Sequence, residues 1–85
     1  MNDTDAGRLL VVEDDDSLRE VLTFNLREAG FDVTAVASGD DGLETYDSET
    51  FDVVITDLRM PEVDGMELLE RLTERDPLSV VVMVT

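Results

Sequence analysis

Leu9-Leu10-Val11-Val12-Glu13-Asp14-Asp15-Asp16 sets four apolar residues directly against four acids. A short unbroken apolar run suits a strand buried on both faces, as in parallel sheets covered by helices. Downstream, Leu18, Val21, Leu22, Leu26 and Ala29 recur at helical spacing. Ser17 and Glu20 have the pattern of a capping box, and Gly30 stands where a helix stops. Residues 9–30 therefore read as a strand, an acidic loop and a helix.

The remainder keeps this rhythm. Phe31 to Ala37 is a second strand candidate, and Ser38-Gly39 opens a second helix around Leu43 and Tyr46. Asp40 and Asp41 suit its first turn, where the helix dipole favours negative charge. Phe51 to Thr56 forms a third strand ending at Asp57, and Leu58 to Val63 a loop holding Pro61. Asp64, with Glu67 three residues on, caps a third helix carrying Met66, Leu68, Leu69 and Leu72, of which Met66, Leu69 and Leu72 are expected in the core. Asp76-Pro77 breaks the pattern, and Val80 to Val84 is a fourth strand before Thr85. Strands alternating with helices over connections too long for hairpins imply an α/β fold, a parallel sheet with right-handed crossovers.

Composition narrows the function. The 85 residues carry 22 acids against 6 bases, a net charge of −16, and every base is Arg. Such a field disfavours nucleic acid and anionic membranes and favours cations and basic partners. It is also the composition of a salt-adapted protein, since screening relieves self-repulsion. Without Cys or His there is no disulfide, no thiolate chemistry and no expected zinc site. Met1 to Gly7 is polar and acidic and reads as a disordered leader, not a signal peptide, so a cytoplasmic location is expected.

In an open parallel sheet, sites form beyond the carboxyl ends of the strands, where the winding reverses. In the flavodoxin-like order, strands 1 and 3 are neighbours at that point. Glu13 and Asp14 follow strand 1, Asp57 follows strand 3, and Thr85 follows strand 4. Three carboxylates in one crevice repel, by roughly 4 kcal/mol per pair at 4 Å and an effective dielectric near 20. Three pairs give an upper bound of roughly 12 kcal/mol, against a total stability of roughly 4–13 kcal/mol for this length. Water, a retained proton or a hard cation must relieve it. Oxygen donors at an open site favour Mg²⁺, and a carboxylate can serve as a nucleophile toward phosphorus.

Val11–Leu22, VVEDDDSLREVL, resembles the first strand, acidic loop and first helix of response-regulator receiver domains. Phe51–Leu72, FDVVITDLRMPEVDGMELLERL, resembles the phosphorylation block of that family, most like its nitrogen-regulator type. The likeness covers residues 8–85 and implies a CheY-like fold with strand order 2-1-3-4. Carried over by position, it implies Asp57 as phosphoacceptor and Mg²⁺ ligand and Asp14 as the second ligand. Glu13 would act through a metal-bound water, and the Arg59 backbone carbonyl would be the third protein ligand. Thr85, 28 residues after Asp57, would hydrogen-bond a phosphoryl oxygen as the switch residue. The implied partner is a histidine kinase or a phosphotransfer protein, and the role is that of an acceptor in a two-component system, not an enzyme.

The departure from the family lies after the fourth strand. Members continue with a fourth helix, a fifth strand carrying a Lys that pairs with the phosphoryl group, and a fifth helix. This sequence has no Lys. Residues 8–85 are thus expected to be a truncated receiver with impaired phosphotransfer. Val80 to Thr85 would form an exposed edge that drives a dimer or higher oligomer. The alternative is a non-phosphorylated assembly module on the same fold. A flavin or nucleotide binder fits less well, because no Gly-rich loop follows strand 1.

Overall fold

The computed structural model describes residues 7–57, 65–77 and 79–84. Three strand–helix units and a last strand follow in order: β1 (Arg8–Val12), α1 (Asp16–Glu28), β2 (Asp32–Val36), α2 (Gly39–Ser48), β3 (Val53–Asp57), α3 (Gly65–Arg75) and β4 (Val81–Val84). The four strands form one parallel sheet in the order β2-β1-β3-β4. This is the expected flavodoxin-like arrangement.

Alternate residues of each strand feed two separate cores. Leu10, Val12 and Val54 point to one face, where Leu43 of α2 and Leu68 and Leu72 of α3 close over them. Leu9, Val11 and Val33 point to the other, against Leu22 and Leu26 of α1. The unbroken run Leu9–Val12 is therefore buried on both sides, because β1 is an inner strand with helices above and below. On the first face α2 lies so close to β1 that a Cβ on Gly42 would sit 2.9 Å from Val12 Cγ2.

The termini of α1 show how local chemistry sets the elements. Gly30, at φ +102°, donates its N–H to Arg27 O, and Phe31 donates to Leu26 O. That is a Schellman stop, which needs the left-handed conformation glycine adopts without strain. At the other end the cap is Asp15, whose carboxylate accepts from Leu18 N at 2.9 Å. This corrects the expected Ser17–Glu20 box. Ser17 lies inside the first turn, and the acid two positions earlier reaches the orphan N–H first. Ser38 caps α2 as expected, accepting from Asp41 N at 3.1 Å.

Two core expectations also change. Met66 is 54% exposed; the inward stripe of α3 runs through Leu68 and Leu72, one turn apart and fully buried, with Leu69 half-buried. On α1, the expected Leu18 and Val21 face outward, as does Phe24, which lies outside the expected stripe, and no residue of that helix is fully buried. Helical spacing gave the right periodicity there, but the sheet covers only the Leu22–Leu26 side. Strand limits moved slightly. β3 begins at Val53, and Asp52 just before it is tied to the start of β1: its carboxylate accepts the Arg8 N–H at 2.8 Å and its own N–H donates to Arg8 O. No described helix is long and apolar enough to cross a membrane.

A candidate metal centre at the ends of β1 and β3

β1 and β3 pair directly, with Val12 beside Thr56, so the residues following them emerge side by side. Glu13, Asp14 and Asp57 each offer a carboxylate oxygen, and these oxygens lie within 4.8 Å of one another. The three groups differ in setting: Glu13 is 2% exposed, Asp57 is half-buried and Asp14 is open to solvent. Arg59 and Thr85, also expected at this site, lie outside the described residues, as do Pro61, Asp64 and residues 1–6 of the expected leader.

The loop holding this cluster is pinned at each step. Glu13 N donates to Val36 O at 3.1 Å, extending the β1–β2 ladder one residue beyond the strand. Glu13 Oε2 accepts from Asp15 N at 3.1 Å. Asp15 then caps α1. Arg19 reaches back from the first turn of α1 to donate from Nη1 to Glu13 O at 2.8 Å, while Nη2 pairs with Asp16. Sequence reasoning missed Arg19. The signal was present: a cation in the first turn of a helix opposes the dipole, so another interaction has to hold it there. Thr56, 1% exposed and paired with Val12 across β1 and β3, donates its hydroxyl to Asp57 O.

Electrostatics make the cluster costly without a counter-charge. Burial pushes the Glu13 carboxyl above the ordinary glutamate range; the Asp15 N–H opposes this, and the nearby Asp57 and Asp14 charges raise it further. A carboxyl with a raised folded pKa binds its proton more tightly folded than unfolded. Stability from this group is therefore highest at low pH and is lost as pH rises from the ordinary glutamate value through the raised one. Glu13→Gln is expected to melt higher than the parent at neutral pH without divalent ions. The gap should close as the pH falls below the glutamate range, and thermal melts across that range would measure it. A constant gap would assign the effect to packing instead.

The donor set suits one kind of ion. All three side chains offer hard oxygen donors, none is soft, and Asp14 is open to water, a set that would fit a small, partly hydrated divalent cation such as Mg²⁺. A separate groove of about 330 Å³ runs along α1 between Arg19, Glu20, Thr23, Phe24, Arg27 and Ala35. It holds none of the three carboxylates.

Comparison with known proteins agrees with this geometry. The family model described as response regulator receiver domain matches residues 9–85. The receiver protein CpdR of Brucella abortus is 40% identical over 78 residues, which are 92% of this chain and 65% of that protein. The DNA-binding transcriptional regulator NtrC of Escherichia coli is 40% identical over 79 residues, 93% of this chain but 17% of its own length. The response regulator TrrA of Thermotoga maritima, solved with Mg²⁺ and BeF, superposes with a TM-score of 0.86 at 29% identity, covering 89% of this chain and 66% of that one. TrrA was also solved in complex with the histidine kinase ThkA, and in that form superposes with a TM-score of 0.87 at 29% identity over 92% of this chain and 67% of that one. The chain thus spans less than two thirds of CpdR and less than a fifth of NtrC. The strand order and acidic cluster, joined by a family match across nearly the whole sequence, make this chain a member of the receiver domains of two-component response regulators.

Proposed function

We infer that this receiver binds Mg²⁺ through Asp14 and Asp57 and accepts a phosphoryl group on Asp57. The observation that carries this is the meeting of three carboxylates from two adjacent strand ends in one cluster. Asp14 and Asp57 would ligate the ion directly, with Glu13 acting through a bound water and the Arg59 carbonyl as a further ligand. When bound, Mg²⁺ would supply positive charge to offset that on the phosphoryl oxygens during transfer.

An Asp57 carboxylate oxygen attacks phosphorus in line. The new O–P bond makes an acyl phosphate on Asp57. The P–N bond of a partner's phosphohistidine breaks, its electron pair stays on the imidazole nitrogen, and that nitrogen takes up a proton. Thr85 would then donate its hydroxyl to a phosphoryl oxygen. The TrrA–ThkA complex supports a histidine kinase or phosphotransfer protein as donor. The chain acts as an acceptor in signalling and has no separate substrate to turn over. With no Lys in the sequence, phosphotransfer by these residues alone is expected to be slow.

The test is incubation of the chain with Mg²⁺ and acetyl phosphate, followed by intact-mass measurement. A gain of one phosphoryl group, abolished by a chelator and labile in base, supports the reading. Mg²⁺ binding with no mass gain over long incubation moves the assignment to a non-phosphorylated assembly module. Self-association is a second proposal. It concerns a polypeptide of these 85 residues alone, in which, among the described residues, β4 pairs with β3 alone and Val82 is 46% exposed, an apolar strand that a second copy can cover. A stable monomer by light scattering in dilute solution excludes it.

A further inference from the structure

We propose that Arg19 is a positioning residue for the metal centre, fixing the direction in which Asp14 leaves the chain; the proposal rests on the Mg²⁺ reading above. Three observations carry it. Arg19 Nη1 donates to the Glu13 carbonyl at 2.8 Å, and Nη2 pairs with Asp16, so one planar guanidinium bridges the start of the acidic loop and the first residue of α1. The side chain is 21% exposed and lies against the protein rather than in solvent. The acceptors are the Glu13 backbone carbonyl and the Asp16 carboxylate, so the guanidinium takes none of the cluster's own carboxylate oxygens in these bonds.

The Glu13 carbonyl is one end of the Glu13–Asp14 peptide plane. That plane is rigid, so holding its oxygen fixes the rotation about the bonds on either side. Glu13 N is already held by Val36 O, and Asp15 N by the Glu13 carboxylate. Arg19 supplies the remaining constraint on the peptide between them, the one from which Asp14 projects toward Asp57. Arg suits this because its fork presents two donors at fixed spacing, which the single ammonium of Lys cannot.

The sign of the effect separates positioning from simple charge. A cation beside a cation site repels Mg²⁺, so neutralising Arg19 should tighten binding if charge alone matters. If Arg19 orients Asp14, neutralising it weakens binding.

Calorimetric titration of Mg²⁺ into the parent, Arg19→Gln, Arg19→Lys and Arg71→Gln provides the test. Arg71 pairs with Glu67 on α3 and serves as a control of equal charge change. Arg19→Gln is expected to weaken Mg²⁺ about tenfold, the scale seen when supporting contacts to metal ligands are removed. Arg19→Lys should recover only part of this, and Arg71→Gln should bind as the parent does. In the metal-free protein the Asp14 and Asp15 amide resonances should shift and broaden in Arg19→Gln alone. Unchanged or tighter binding in Arg19→Gln overturns the proposal. If Arg19→Gln loses its circular-dichroism signal, Arg19→Lys decides, and parental affinity there overturns it. A parent that binds no Mg²⁺ removes the metal reading and this proposal together, whereas a binding parent with an unaffected Arg19→Gln removes this proposal alone.

Discussion

Asp57→Asn is expected to gain no phosphoryl group from acetyl phosphate under conditions where the parent does. Asn keeps the size and shape of Asp but has no anionic oxygen to attack phosphorus, so the O–P bond cannot form. The substitution also removes one of the three charges that would hold Mg²⁺, and affinity for the ion should fall with it. A third consequence reads out without any ligand. The Asp57 charge is one cause of the raised Glu13 carboxyl, so in Asp57→Asn the Glu13 pKa should move back toward the ordinary glutamate value. Intact-mass measurement and a carboxyl-resolved NMR titration check these points. A phosphoryl gain that survives in Asp57→Asn would place the acceptor elsewhere. An unmoved Glu13 titration would mean that water screens the two groups from one another.

Leu68→Ala is expected to lose about 2–5 kcal/mol of stability, the range for emptying a fully buried leucine site. Against roughly 4–13 kcal/mol for a chain of this length, that is a large fraction of the whole. Leu68 has no exposed surface and packs with Leu72 against Leu10, Val12 and Val54, so the space left behind is walled by strand residues that cannot collapse into it. Met66→Ala, two residues away, should change stability by about 0.5 kcal/mol or less, because Met66 faces solvent. Urea unfolding of both variants measures the contrast. Equal losses, or a larger one for Met66, would rotate α3 on the sheet and contradict the core found here.

The two results bear on linked parts of one design. The sheet is held by a dense core under α2 and α3, and that rigidity presents β1 and β3 side by side. The repulsion at their ends is a local cost that the core offsets and that, on the Mg²⁺ reading, a cation would relieve. On the proposed reading, Asp57 would take its phosphoryl group in that crowded setting, where one added or neutralised charge alters the balance among three carboxylates.

Much of this was legible in the residues. The doubly apolar run Leu9–Val12 required an inner strand, and the alternation of strands with helices required parallel pairing. The placement of acids after β1 and β3, and only Ser38 after β2, predicted that Glu13, Asp14 and Asp57 share one rim of the sheet, and their carboxylates do meet there. These features are encoded by order along the chain and by alternation within a strand, which a sequence displays directly. The block around Asp57 supplied the family by resemblance.

What the sequence did not determine was anything that depends on which neighbour arrives first. Asp15 rather than Ser17 caps α1, because several polar residues stood within reach and only the path of the loop selects among them. Met66 and Leu68 both satisfy a helical period, and only the seating of α3 on the sheet chose Leu68. Leu18 and Val21 share the helical spacing of Leu22 and Leu26, yet the sheet covers α1 on a single side and leaves both exposed. Arg19 is the strongest case: its role is a hydrogen bond to a backbone carbonyl, and every residue has one. Periodicity and residue type are properties of a chain, while choice among equivalent partners is a property of distance, which only tertiary structure supplies.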